Sequence, residues 1–222
     1  MGEQQNDALE SLQKEVANHP PASPTSPFPG TGRNWLVTSF FAGAFVGVFC
    51  SLFLFPFGWA SFHALEGETF WKTISIAQTV AGFAFGLLMG WILGPMVKPG
   101  FPRVVLVLAG PLAAFAAFGV MIRASREAGP PVSQLFWFAL AGLASGVVLI
   151  LGVLMACKPA RNYTKWIVWM LGAGLLGGLG FALLIPTLME GVPLSYACGH
   201  ALTAMPLGLL RKEFEAENRR PT

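Results

Sequence analysis

Four polar side chains in apolar parts of the chain have the spacing to form a small binding site. Tyr196, His200 and Thr203 stand at i, i+4 and i+7, so a helix places them on one face. Gln78 lies in another apolar segment, and we expect it at a similar depth, within reach of His200 or of a shared cavity. Burial disfavours the imidazolium ion, so we expect a neutral His200 with one donor and one acceptor nitrogen.

Two interpretations of this candidate polar site stay open. In one, Gln78, Tyr196, His200 and Thr203 bind a polar solute. In the other, they only hydrogen-bond neighbouring helices, because hydrocarbon compels every polar group to find a partner.

Other site chemistry is poorly supported by the residues. The cores of the apolar segments contain no Asp, Glu, Lys or Arg, and no nucleotide-binding, zinc-protease, serine-hydrolase or Cys-x-x-Cys motif occurs. No second histidine lies at the depth of His200, so the chain cannot hold a haem between two histidines. A copper site at Cys198 and His200 would lack a third donor. We therefore expect no enzyme, no metal and no cofactor, with a membrane enzyme as a minor alternative.

The composition is that of a membrane protein. Of the 222 residues, 54% are hydrophobic and 11% are charged, whereas about a quarter of residues in a soluble domain carry charge. These figures exclude a nucleic-acid-binding module, disorder over most of the chain and a disulfide-stapled secreted fold. The lipid bilayer is the expected partner, and we expect the three cysteines to be small buried hydrophobes.

Six apolar segments approach the ~20 residues that a helix needs to cross a bilayer. They are Trp35–Phe55, Ile74–Met96, Phe101–Ile122, Leu135–Cys157, Trp166–Met189 and Val192–Leu210. The sequence predicts an all-α integral membrane protein built as a six-helix Gly-rich bundle. The last segment is the shortest and contains Pro193 and Pro206, so a broken or re-entrant helix is the alternative there.

The apolar segments divide the chain into three parts. We predict a flexible, polar, Pro-rich cytoplasmic tail over 1–33, a transmembrane domain over 34–210 and a charged cytoplasmic tail over 211–222. Leu9, Leu12 and Val16 have helical spacing, so a short helix over 7–16 that docks on a partner is the alternative for the first tail.

The loop charges predict the orientation. With six spans, eleven of the 14 Lys and Arg residues fall on the side of the two termini, and Lys72, Arg123 and Arg126 fall on the other. Because positive loops remain in the cytoplasm, both termini are predicted to be cytoplasmic. With no targeting signal, the inner membrane of a bacterium is the expected location.

Glycines recur at four-residue steps and predict close helix contacts. Such steps drift only about 40° around a helix, so each series forms one groove, used within the bundle or against another subunit. The series comprise Gly43 and Gly47; Gly82, Gly86, Gly90 and Gly94; Gly142 and Gly146; and Gly174 and Gly178.

A weak internal repeat accompanies the glycines. Ala81-Gly-Phe-Ala-Phe-Gly86 and the later Lys98-Pro99 recur 60 residues on, as Ala141-Gly-Leu-Ala-Ser-Gly146 and Lys158-Pro159. Two spans separate the copies, so the spacing predicts parallel repeats of helical hairpins, unless composition alone makes the segments alike.

Two roles follow from these patterns. The first is a non-catalytic accessory or structural subunit, which assembles with other membrane proteins or with itself through the glycine-rich faces. The alternative is a small channel or facilitator for an uncharged or weakly polar solute, which the repeat and the polar site favour.

Overall fold

The computed structural model describes residues 34–64, 68–126, 131–158, 163–184 and 192–218, and this part of the chain is all-α. Its helices are α1 (Trp35–Ala64), α2 (Glu68–Leu93), α3 (Pro102–Arg126), α4 (Pro131–Ala156), α5 (Tyr163–Leu184) and α6 (Val192–Asn218). A short 3-10 turn, Gly94–Met96, follows α2. The predicted tail over 1–33, with its alternative helix over 7–16, lies outside the described residues.

Each apolar segment predicted from the sequence corresponds to one of these helices. Four stretches are long and apolar enough to cross a membrane: Trp35–Leu52, Gln78–Met96, Pro102–Met121 and Leu135–Ala156. These spans confirm a helical membrane protein. The last helix, α6, is continuous through Pro206 to Asn218, so neither a break nor a re-entrant loop occurs within it, and residues 211–218 of the predicted C-terminal tail are helical.

Proline and glycine fix where several helices begin. Pro102 and Pro131 are the first residues of α3 and α4, where the missing N–H costs no intrahelical hydrogen bond. Gly100 has a φ of 90°, a left-handed conformation that glycine adopts without strain, and this lets the chain turn from α2 into α3.

The helices form a closed ring in chain order. Each helix contacts the next one along the chain, and α6 returns to α1 across the most extensive interface of the bundle. In addition, α2 touches α6. The junction of α1, α2 and α6 is therefore the place where the first and last parts of the domain meet.

Glycines mediate the close helix pairs inside the ring. A methyl group added at Gly82 or Gly86 would overlap α3, and one added at Gly43 or Gly47 would overlap α6. Gly142 packs in the same way against α5. Of the glycines singled out in the sequence, Gly174, Gly178, Gly146 and Gly90 also face another helix of the same chain, and Gly94 has open space around it.

The two Lys-Pro turns of the repeat pair with each other. Lys98 N–H donates to the Ala156 carbonyl at 3.0 Å, and Lys158 N–H donates to the Met96 carbonyl at 2.9 Å. A shift of 60 residues exchanges the two bonds, so the copies of the repeat contact each other through equivalent atoms. We call this end of the bundle the Lys-Pro end and the opposite one the far end.

The apolar core of the described residues lies toward the Lys-Pro end. None of the described residues 114–121, 135–140 and 178–180 is buried, whereas one apolar core joins five of the helices near the Lys-Pro turns. The fully buried members of this core include Met89, Ile92, Met96, Leu106, Val153, Met170, Leu207 and Leu210. The bundle interior is therefore closed at the Lys-Pro end.

Replacing Gly86 by alanine should destabilise the bundle by about 1–3 kcal/mol, the usual cost of overpacking. The new methyl group would overlap the carbonyl oxygen of Val107, a backbone atom that cannot rotate away. Gly172 has nothing within 4 Å, so Gly172→Ala is the matched control and should cause no loss. Thermal unfolding in mild detergent measures both, and equal stability of the two variants would contradict the packing argument.

Candidate functional site

The polar cluster forms where α2 meets α6. Gln78 Nε2 on α2 donates a hydrogen bond of 2.9 Å to the hydroxyl oxygen of Tyr196 on α6. One turn on, His200 Nδ1 lies 2.9 Å from the carbonyl oxygen of Tyr196. Gln78 and His200 are thus joined through Tyr196.

Hydrogen bonding and ring packing hold His200 in place. A carbonyl oxygen can only accept, so Nδ1 carries the hydrogen in this contact. The imidazole stacks on the Tyr196 ring at 6.0 Å between centroids, and the Phe85 ring meets it edge to face at 5.4 Å. Phe85 belongs to the buried core, so His200 lies directly on the far-end side of that core.

Glycines of α1 set the position of this part of α6. Gly47 packs on the carbonyl group of Tyr196, and Gly43 packs on that of His200. The absence of side chains at both glycines lets α1 approach the backbone that carries the two polar residues. The glycine pair and the polar site, which the sequence suggests separately, therefore belong to one interface.

Two hydrogen-bond acceptors of the cluster remain available. Within the part of the chain that the structure describes, neither Gln78 Oε1 nor His200 Nε2 has a hydrogen-bond partner. Trp166 Nε1 is the single fully buried and unpaired side-chain nitrogen or oxygen in that part. The two acceptor atoms are therefore not fully buried. In a neutral imidazole with the hydrogen on Nδ1, Nε2 has a lone pair that can accept a hydrogen bond.

Thr203 lies apart from this cluster. Its hydroxyl donates to the Gly199 carbonyl of its own helix at 2.8 Å. A methyl group added at Gly177 of α5 would lie 3.9 Å from Thr203 Oγ1, so the side chain faces α5. The structure brings three of the four predicted site residues together and leaves Thr203 on a neighbouring seam.

No model of a known protein family, no curated protein and no solved structure matches the chain. The site must be interpreted from its own geometry.

Metal ligation finds no support in the described residues. Among them, no group of three or more His, Cys, Asp or Glu side chains could hold a metal ion.

Cys50 and Cys157 are buried, and Cys198 is half-buried. Burial raises the pKa of the Cys157 thiol, one residue beyond the apolar span of α4, to about 12, although the Lys98 ammonium opposes the shift. Cys157 is therefore a protonated thiol at neutral pH rather than a nucleophile.

A second polar cluster joins the same three helices, α1, α2 and α6, at the Lys-Pro end. Arg211 of α6 bonds Glu215 through Nε at 2.6 Å, reaches the Ile92 carbonyl of α2 at 3.4 Å and lies 4.9 Å from the Trp35 ring centre. Trp35 Nε1 of α1 also donates to Glu215 at 3.0 Å, and its ring meets Trp91 edge to face. We call Trp35, Trp91, Arg211 and Glu215 the aromatic-arginine clamp.

Sequence reasoning missed this clamp and the role of Phe85. Arg211 and Glu215 have the i, i+4 spacing of a helical ion pair, which was the signal that α6 continues past its apolar segment. Trp35 and Phe85 carry no comparable signal, because one aromatic ring among many in apolar helices is typical of packing.

The Gln78–Tyr196 hydrogen bond should appear as a coupling energy. In a double-mutant cycle of Gln78→Leu and Tyr196→Phe, unfolding in detergent should give a coupling of about 0.6 kcal/mol, with about 1.7 kcal/mol as the upper end for membrane helices. A coupling of zero would contradict the contact. Thr79 bonds its own helix at Ser75, so Thr79→Ala paired with Tyr196→Phe is the control cycle without coupling.

The aromatic-arginine clamp should contribute more to stability than the exposed ion pair nearby. Arg211→Leu removes a charged donor whose side chain is only 13% exposed, and we expect a loss of about 1.5–3 kcal/mol. Lys165→Leu is the control, because its contact with Glu213 is 3.7 Å long and its side chain is 59% exposed, so the loss stays below about 1 kcal/mol. Equal losses in thermal unfolding would contradict a special role for Arg211.

Proposed function

We propose that this chain is a small channel or facilitator for an uncharged solute that carries N–H or O–H groups. The observation that supports it is the pair of available acceptors, Gln78 Oε1 and His200 Nε2, on either side of Tyr196. Each acceptor can take a hydrogen bond from an N–H or O–H group of a solute.

The distribution of charge supports an uncharged solute. The cores of the apolar spans contain no Asp, Glu, Lys or Arg, the charged residues that line the paths of ions through membranes. The tight core at the Lys-Pro end lies between the polar cluster and that end. Passage across the bilayer therefore requires the helices to separate there, and the polar cluster is the binding step on the far-end side.

The topology is part of the proposal. All six helices cross the membrane, both termini face the cytoplasm, and the membrane is the inner membrane of a bacterium. The excess of Lys and Arg on the side of the termini supports this orientation.

An accessory or structural subunit is the second candidate. Its support is a row of exposed aromatic rings on α1, where Phe41, Phe45 and Phe49 are 65%, 71% and 57% exposed at four-residue spacing. Most of the glycine faces suggested for assembly are occupied by helices of the same chain. A partner subunit would therefore use this aromatic row.

Solute flux into proteoliposomes tests the first proposal, with urea and glycerol as probes. Gln78→Ala and His200→Ala each remove one acceptor, and we expect each to change flux by about fivefold, the equivalent of one hydrogen bond. Thr79→Ala is the control on the same helix, because the Thr79 hydroxyl bonds Ser75 within α2.

Three outcomes separate the candidates. Flux that changes about fivefold in both variants but not in Thr79→Ala supports the binding site. Flux that is unchanged in both variants overturns it. No flux in the original chain, together with a stoichiometric partner in native mass spectrometry from its own membrane, supports the subunit.

A further inference from the structure

A second feature, on the outer surface of the bundle, has its own ligand chemistry. A groove of about 330 Å³ runs between α2 and α3, and its walls are Phe83, Val104, Val107 and Leu108. Arg103 is the single charged residue among those that line it, and the surface facing the groove is apolar throughout, so the stem of Arg103 and not its guanidinium forms the wall. It lies beside the close contact of the two helices, because Val107, one of its walls, packs with its backbone against Gly86.

Arg103 lies at the level where lipid headgroups are found. The apolar span of α3 begins at Pro102, so Arg103 stands at its end, while Val104 and Leu108 follow within the hydrocarbon region. From Arg103 to Leu108 the helix rises about 7.5 Å, a length over which the first part of an acyl chain can lie. Phe101, which is 74% exposed, stands beside Arg103 at the same level.

The positive charge of Arg103 has no counter-charge in the described part of the chain. Arg103 takes part in no ion pair there, and the sequence contains no acidic residue between Glu68 and Glu127. The exposed Lys98 adds a second cation at this end, and the start of a helix carries partial positive charge rather than the negative charge that would suit an arginine. An anionic headgroup would supply the counter-charge that the described residues do not.

We propose that this groove binds a phospholipid with a net negative headgroup. One acyl chain lies along Phe83, Val107 and Leu108, and the phosphate accepts hydrogen bonds from the Arg103 guanidinium, whose planar donors match phosphate oxygens. The inference is independent of solute passage, because it uses the outer face of α2 and α3.

The test is native mass spectrometry of the full chain after reconstitution in vesicles of phosphatidylcholine and phosphatidylglycerol. The original chain should retain phosphatidylglycerol in preference to phosphatidylcholine. Arg103→Ala should reduce that preference by about tenfold, the equivalent of one lost charge-assisted hydrogen bond to the phosphate. Lys212→Ala removes an exposed cation elsewhere and should leave the preference unchanged.

Filling the groove with a large side chain tests whether an acyl chain lies in it. Val104→Trp keeps the charge of Arg103 but occupies the groove, so it should also lower retention of phosphatidylglycerol. The melting temperature of each variant in detergent serves as the check on folding.

Several results would overturn the inference. They are an unchanged preference in Arg103→Ala, an equal loss in Lys212→Ala, full retention in Val104→Trp, and displacement of the lipid by inorganic phosphate, which would indicate a site for free anions. A second copy of the chain in place of the lipid would overturn it as well.

Discussion

Contact between helix backbones at glycine is the interaction on which the rest of this bundle depends. Lipid is as apolar as leucine, so no hydrophobic force drives helices together in a membrane, and association relies on close packing. At Gly86 the neighbour is the carbonyl of Val107, which Pro111 leaves without its usual intrahelical donor. A glycine Cα–H group can approach such a carbonyl as no other residue can.

The same contact determines where the polar groups lie. Because Gly43 and Gly47 draw α1 onto α6, Tyr196 and His200 are held in a fixed position against α2. Gln78 then donates to the Tyr196 hydroxyl, and His200 Nδ1 to the Tyr196 carbonyl. What is left over, the Oε1 atom and the second N–H of Gln78 and the Nε2 atom of His200, is the hydrogen-bonding chemistry that the cluster offers to a bound molecule.

Sequence reasoning reached the fold class, the helix order and most of the polar cluster because hydropathy and helical spacing are local properties. It did not predict the aromatic-arginine clamp. In any hydropathy profile Arg211 marks the end of an apolar segment, whereas in the structure α6 continues for two further turns. It placed Thr203 with His200 because they share a helix face, but the direction of each neighbouring helix decides which residue meets Gln78. Which residues of two distant helices meet depends on how the helices pack, and the spacing of residues along one helix does not determine that.

The paired Lys-Pro turns have a consequence for how the domain holds together. A contact in which two equivalent segments exchange equivalent hydrogen bonds is the kind that joins identical subunits around a two-fold axis. Here the chain carries both partners of that contact. The two hairpins are therefore always present in equal number, and dilution in the bilayer cannot separate them, since the effective concentration of one for the other is set by the polypeptide between them.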